Sequence, residues 1–213
     1  EEVRRDRLFQ QFRRYGWIAV VLIVAIVAGA AWNEIRKSQE IAAAQALGDD
    51  LLAAMEAETA GARAGELTTL SAETPGGRAV VDFALAGAQA DSGQIGAAVA
   101  TLESIATKGE LPEIYRQIAG FKALLLQADD GQTPTAQLRL GFENLAKPGA
   151  PLRGLATEQL ALLDIVDGDA EAAIARFQAI LSDAEASSDL QQRAAQAIVA
   201  LGGEPELPSG PQG

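Results

Sequence analysis

The longest unbroken apolar stretch is Tyr15–Trp32, eighteen residues without a charge. Apart from Gly and Ala it is Val, Ile and Leu between aromatic ends. A helix crosses a bilayer core of ~30 Å with ~20 apolar residues, and eighteen at ~1.5 Å each fall just short of that. Flanking residues supply the difference. Phe9, Phe12, Tyr15 and Trp17 crowd one end and Trp32 stands at the other, where rings sit at headgroup level. The pattern predicts a membrane helix over residues 15–32. A buried helix of a soluble core competes, but core helices seldom run this long without a polar side chain. Ala28-Gly29-Ala30 has the form of a signal-peptide cleavage site, so a cleaved leader also competes. The run is longer than a usual leader core, which favours an uncleaved anchor. The pairs Arg4-Arg5 and Arg13-Arg14 raise a twin-arginine signal, without a fuller motif around them.

Beyond the span the apolar pattern changes to a stripe. Ile41, Ala44, Gly48, Leu51 and Met55 recur at spacings of three and four, one face of a helix. No Pro lies between Trp32 and Thr59, so the membrane helix is expected to continue outward as a linker helix over residues 33–59. It is expected to end in the small, Gly-containing stretch Thr59–Gly65. Glu66–Gly77, with Pro75 and the Gly76-Gly77 pair, reads as a loop. Within the span, Ala25 and Gly29 lie four apart with Ala28 beside them. Small residues at that spacing admit a close helix partner, although Ala and Gly are common in spans anyway.

From Arg78 the pattern becomes a series of short helical pairs. Three turns punctuate it, at Asp91-Ser92-Gly93, Asp129-Asp130-Gly131 and Asp167-Gly168-Asp169. Their glycines are 38 and 37 residues apart, and a fixed period of this size marks helix–turn–helix repeats. An apolar helix precedes each turn and an Ala-rich helix follows it. After the middle turn the pattern runs two residues late, with Thr133-Pro134 as the helix start. Pro112, Pro148 and Pro151 fall between units, where helices break. Leu190–Leu201 reads as a capping helix, and residues 202–213, rich in Pro and Gly, as a disordered tail.

These residues resemble tetratricopeptide repeats. Ala86, Gly93, Ala98 and Leu102 follow that family's order of a small residue, a turn glycine, an alanine and a large apolar residue. Ala161, Gly168, Ala173 and Phe177 do so again. The family's usual Trp and Tyr on the first helix are missing. The expected fold is therefore all-α, a single N-terminal transmembrane helix followed by a helical-hairpin repeat domain over residues 78–201.

Charge orients the span. Arg4, Arg5, Arg7, Arg13 and Arg14 precede it and only Arg36 and Lys37 follow closely. The positive-inside rule places residues 1–14, a basic lead-in, in the cytoplasm and the rest outside it. Leu8, Phe9 and Phe12 of that lead-in share a helix face suited to the membrane interface. Residues 1–32 carry five Arg against three acids, and residues 33–213 carry twelve Lys or Arg against twenty-six Asp or Glu. So acidic a head argues against nucleic acid as a partner.

The chain has no Cys and no His, which excludes catalysis and zinc sites built on either. No Gly-rich phosphate loop or nucleophile elbow is present. Asp164, Asp167, Asp169 and Glu171 form the densest acidic cluster. Its spacing is not that of a calcium loop, and Asp169 is placed to cap the following helix. Asp129-Asp130 and Asp49-Asp50 read as solvated surface. No enzyme activity, metal or cofactor is expected.

The whole layout is similar to a family of bacterial inner-membrane proteins with an Arg-rich lead, one span and an exported tetratricopeptide-like domain. The segments R-R-D-R-L-F, R-R-Y-G-W and D-G-D-A-E-A-A carry the resemblance. It implies an ancillary subunit of the Sec translocon that also contacts exported polypeptides or periplasmic chaperones. An accessory or assembly subunit of another inner-membrane complex, for example respiratory or photosynthetic, is the alternative. The enzyme reading, a carboxylate-dependent hydrolase, has no motif in its favour.

Overall fold

A computed structural model of the chain describes the backbone of residues 2–206 and the side chains of residues 21–206. The described residues form nine α-helices and no strand. The chain divides into two compact units, Glu1–Leu52 and Ala53–Gly213.

The first unit is the body of α1 (Glu2–Met55), 54 residues with no proline and few β-branched residues outside the apolar run. The helix therefore continues from the apolar run into the Ala-rich stripe without a break. Every residue from Val21 to Ala42 is exposed. Among the described residues, no helix is both long and apolar enough to cross a membrane. The expected span over residues 15–32 begins in residues whose side chains lie outside the described ones. The same holds for the side chains of Arg4, Arg5, Arg7, Arg13 and Arg14. The linker helix ends at Met55, earlier than residue 59.

The second unit differs from expectation at its start. Thr59 does not lie in a helix end but begins α2 (Ala60–Thr69), its hydroxyl accepting from the Ala62 amide at 3.2 Å. Thr74 likewise accepts from the Gly77 amide at 3.0 Å and opens α3 (Pro75–Asp91), with Pro75 in its first turn. Glu66–Gly77 is thus mostly helical, and only Leu70–Thr74 lies between the helices. Burial of Ala64 and Leu67 stabilises α2 despite Gly61 and Gly65. Tertiary packing outweighs weak local propensity here.

The array continues with α4 (Ile95–Thr107), α5 (Glu113–Asp130), α6 (Thr135–Leu145), α7 (Arg153–Val166), α8 (Ala170–Leu181) and α9 (Ser188–Ala200). From α2 onward each helix packs against the next in the chain. Gly93, Gly131 and Gly168 occupy the three hairpin turns with φ of 79°, 66° and 82°. A side chain there would meet the left-handed penalty, so the glycine period follows the turn geometry.

The core is distributed along the array. One cluster joins Ala79, Ala86 and Leu102 to Ala119 and Ala123. The next joins Leu138, Phe142 and Leu160, where Phe121 meets Phe142 edge-on with ring centroids 5.9 Å apart. The last gathers Ala161, Ala173, Phe177, Leu190 and Ile198. Stability of such an array is a sum of neighbour contacts. Of the expected disordered tail, residues 207–213 lie outside the described ones. Its residues 202–206 return to α8, where the Gln178 side-chain amide bonds both the N–H and the carbonyl of Glu206.

Candidate functional site

The residues singled out by the repeat pattern meet at the hairpin crossings. Ala98, Ala161 and Ala173 are fully buried, and Ala86, Leu102 and Phe177 are nearly so. Ala86 and Leu102 share one cluster between α3 and α4. Ala161, Ala173 and Phe177 share another between α7 and α8. They are packing residues, and Ala86 and Leu102 also line the surface beside their crossing.

That surface is grooved between α3 and α5. Phe83, Ala86, Gly87 and Ala90 form one wall, Leu125 and Leu126 the other, and Leu102 the floor. Lys122 stands exposed at the edge. The cavity measures about 180 Å³. Small-molecule sites run to ~300–1,000 Å³. This one suits a single apolar side chain of a longer polypeptide.

The carboxylates are engaged in holding the array together. Asp164 is buried on α7, 4 % exposed. It accepts from Arg139 Nη1 on α6 at 2.7 Å and from Arg176 Nε on α8 at 2.6 Å. Burial pushes the Asp164 carboxyl up, and the two arginine hydrogen bonds and charges more than reverse this, so its pKa falls below the ordinary range. Arg139 also reaches Asp167 at 2.7 Å, and these bonds hold its own pKa raised. Asp169 accepts from the Ala172 amide at 2.9 Å and caps α8. Asp49, Asp50, Asp129 and Asp130 are exposed. Among the described residues no group of three or more Asp or Glu is placed to hold a metal ion.

A second clamp lies at the other end. Asp82 on α3 is buried and accepts from Arg78 at 2.8 Å and from Lys108, after α4, at 2.9 Å. Arg78 also donates to the Leu70 carbonyl at 2.9 Å, closing the α2–α3 connection. Reasoning from the sequence missed both clamps. A signal was present, because Asp82 and Asp164 each stand on an otherwise apolar helix stripe, beside Ala79 and Ala86 or Leu160 and Ala161. A charge on such a stripe requires a partner.

On α1 the structure places Ala25 and Gly29 in the exposed stretch, and a Cβ built on Gly29 meets nothing within 4 Å. Val21, Leu22, Ile23, Val24, Ile26 and Val27 are each 55–64 % exposed. They surround the helix, so its apolar surface is not a single stripe. Exposed apolar area of this extent marks an interaction site. No protein-family model, no curated protein and no solved structure matches this chain.

Proposed function

We propose that this chain is a binding scaffold anchored in the bacterial inner membrane by α1, with its helical array on the periplasmic side. It acts by binding, not by catalysis. In this reading it is an ancillary subunit of the Sec protein-translocation machinery and links that machinery to exported chains or chaperones.

The all-round exposure of the apolar residues Val21–Trp32 carries the proposal. A helix that is apolar on every face is covered by lipid or by a large core. The twelve residues of that stretch rise ~18 Å at ~1.5 Å each, and the uncharged run extends back to Tyr15 in the sequence. The array adds an apolar groove with one cation at its edge, a shape for a passing polypeptide segment. The acid-rich head favours basic passengers through long-range charge. The Sec assignment itself rests on the layout of lead, span and repeats.

Protease added to spheroplasts tests the anchor and its sense. Residues beyond about 35 are digested and the N-terminal segment is spared. Protection of the array until the inner membrane is broken would refute the orientation. Crosslinking in native membranes, followed by identification of captured proteins, tests the partner. Recovery of a respiratory or photosynthetic complex instead of translocon subunits would move the scaffold to that complex.

A further inference from the structure

We propose that α1 pairs in parallel with α1 of a second copy of this chain, along a heptad seam from Ile23 to Leu51. The parallel sense rests on the membrane reading above, since copies inserted the same way point the same way. The pairing itself rests on α1 alone.

Two rows seven residues apart run down one side of the helix. Val27, Glu34, Ile41 and Gly48 form one, and Ile23, Ala30, Lys37, Ala44 and Leu51 the other. Their alternating spacing of four and three is the a/d pattern of a left-handed coiled coil. The seam is exposed from Ile23 to Ala44, and Gly48 and Leu51 at its end are half-buried. Ile23, Val27 and Ile41 are 59 %, 62 % and 49 % exposed, and a Cβ built on Gly48 meets nothing within 4 Å. The Ala and Gly positions let two backbones approach closely, inside lipid as in water.

The charged positions identify the occupant. Glu34 and Lys37 are the two charges in the seam, in successive layers. In a parallel pair, the hole that receives an a side chain includes the d residue of the same heptad on the other helix. Each Glu34 therefore meets the Lys37 of the second copy, twice by symmetry. Neither residue has an ion-pair partner among the described residues, whereas the neighbouring Arg36 pairs with Glu40 on its own helix at 3.9 Å. A face turned to lipid or to an unrelated helix leaves both charges without a complement from this chain. A second copy supplies both complements and sets the register.

The absence of native cysteine makes the test clean. Single substitutions Ile41→Cys, Ala44→Cys and Gly48→Cys on the seam, and Ala42→Cys and Ala46→Cys off it, are introduced into the full chain. Native membranes are treated with a short thiol crosslinker. Several-fold more covalent dimer is expected at 41, 44 and 48 than at 42 and 46. Equal yields, or no dimer, overturn the proposal. A crosslink between co-expressed Ala30→Cys and Ile41→Cys chains, with none at the single seam positions, shows antiparallel pairing and also overturns it. Glu34→Lys lowers the yield at Ala44→Cys several-fold, and adding Lys37→Glu restores it. A carbonate wash of the same membranes reads the anchor separately. Seam crosslinks on washed-off protein uphold pairing and sink the anchor. Retained protein without seam crosslinks sinks pairing alone.

Discussion

Arg139 on α6 donates to Asp164 on α7 at 2.7 Å, joining residues 25 apart in sequence across two successive hairpins. Arg176 on α8 completes the contact, so one buried carboxylate ties three helices. Removing one partner of a buried pair leaves the others desolvated, which costs more than the pair contributes.

Asp164→Asn is expected to destabilise the protein by ~3 kcal/mol, the low end for breaking a buried pair, because the arginines keep some water. The sign with pH follows from the depressed carboxyl pKa. Its contribution is present above the ordinary aspartate value of 3.8 and is lost as pH falls through the lower folded value. The gap between wild type and Asp164→Asn in urea unfolding should therefore be full at neutral pH and narrow only in strong acid. A gap that closes near neutrality would remove Asp164 from this role.

Ala173 is fully buried where α7 and α8 cross, and Ala175 on the same helix is exposed. Ala173→Leu overpacks the crossing and should cost ~1–3 kcal/mol. Ala175→Leu should stay within ~0.5 kcal/mol of wild type. Thermal unfolding of the two variants side by side measures the contrast. Similar values would mean that the crossing is looser than the burial implies.

Two glycines in neighbouring helices should respond with opposite signs. A Cβ on Gly141 would overlap the Leu124 side chain from α5, whereas one on Gly120 meets only the Ala106 Cβ at 3.8 Å. Gly141→Ala is expected to cost ~1–3 kcal/mol through overpacking. Gly120→Ala should add ~0.5–1 kcal/mol through helix propensity. Denaturant midpoints of both variants decide, and stabilisation by Gly141→Ala would contradict the close α5–α6 approach.

Gly87 faces the α3–α5 groove, and a Cβ there meets nothing within 4 Å. Gly87→Phe should fill the cavity of about 180 Å³ without unfolding the array. Photocrosslinking of exported chains to the head should then fall several-fold while the melting temperature is kept. Unchanged capture would place binding elsewhere on the array.

The local devices are legible from the residues that form them. Asp169 caps α8 because an Asp before a helix can accept from the third amide onward, a contact within four residues. Gly93, Gly131 and Gly168 were legible because left-handed turns demand glycine. The apolar character of Val21–Trp32 was equally visible, since it needs only composition along one helix. Features that join residues far apart follow from the packing of the helices. Thr59 and Gly65 carry a breaker signal, yet α2 forms because Ala64 and Leu67 find a buried surface. In the sequence Asp164 is one member of an acidic cluster, and its burial follows from Arg139 and Arg176 converging on it from neighbouring helices. Gln178 holds the tail at Glu206 across 28 residues, which no local rule encodes. Caps and turns are set by backbone geometry within a few residues, whereas burial and ion pairing depend on which helices the fold brings together.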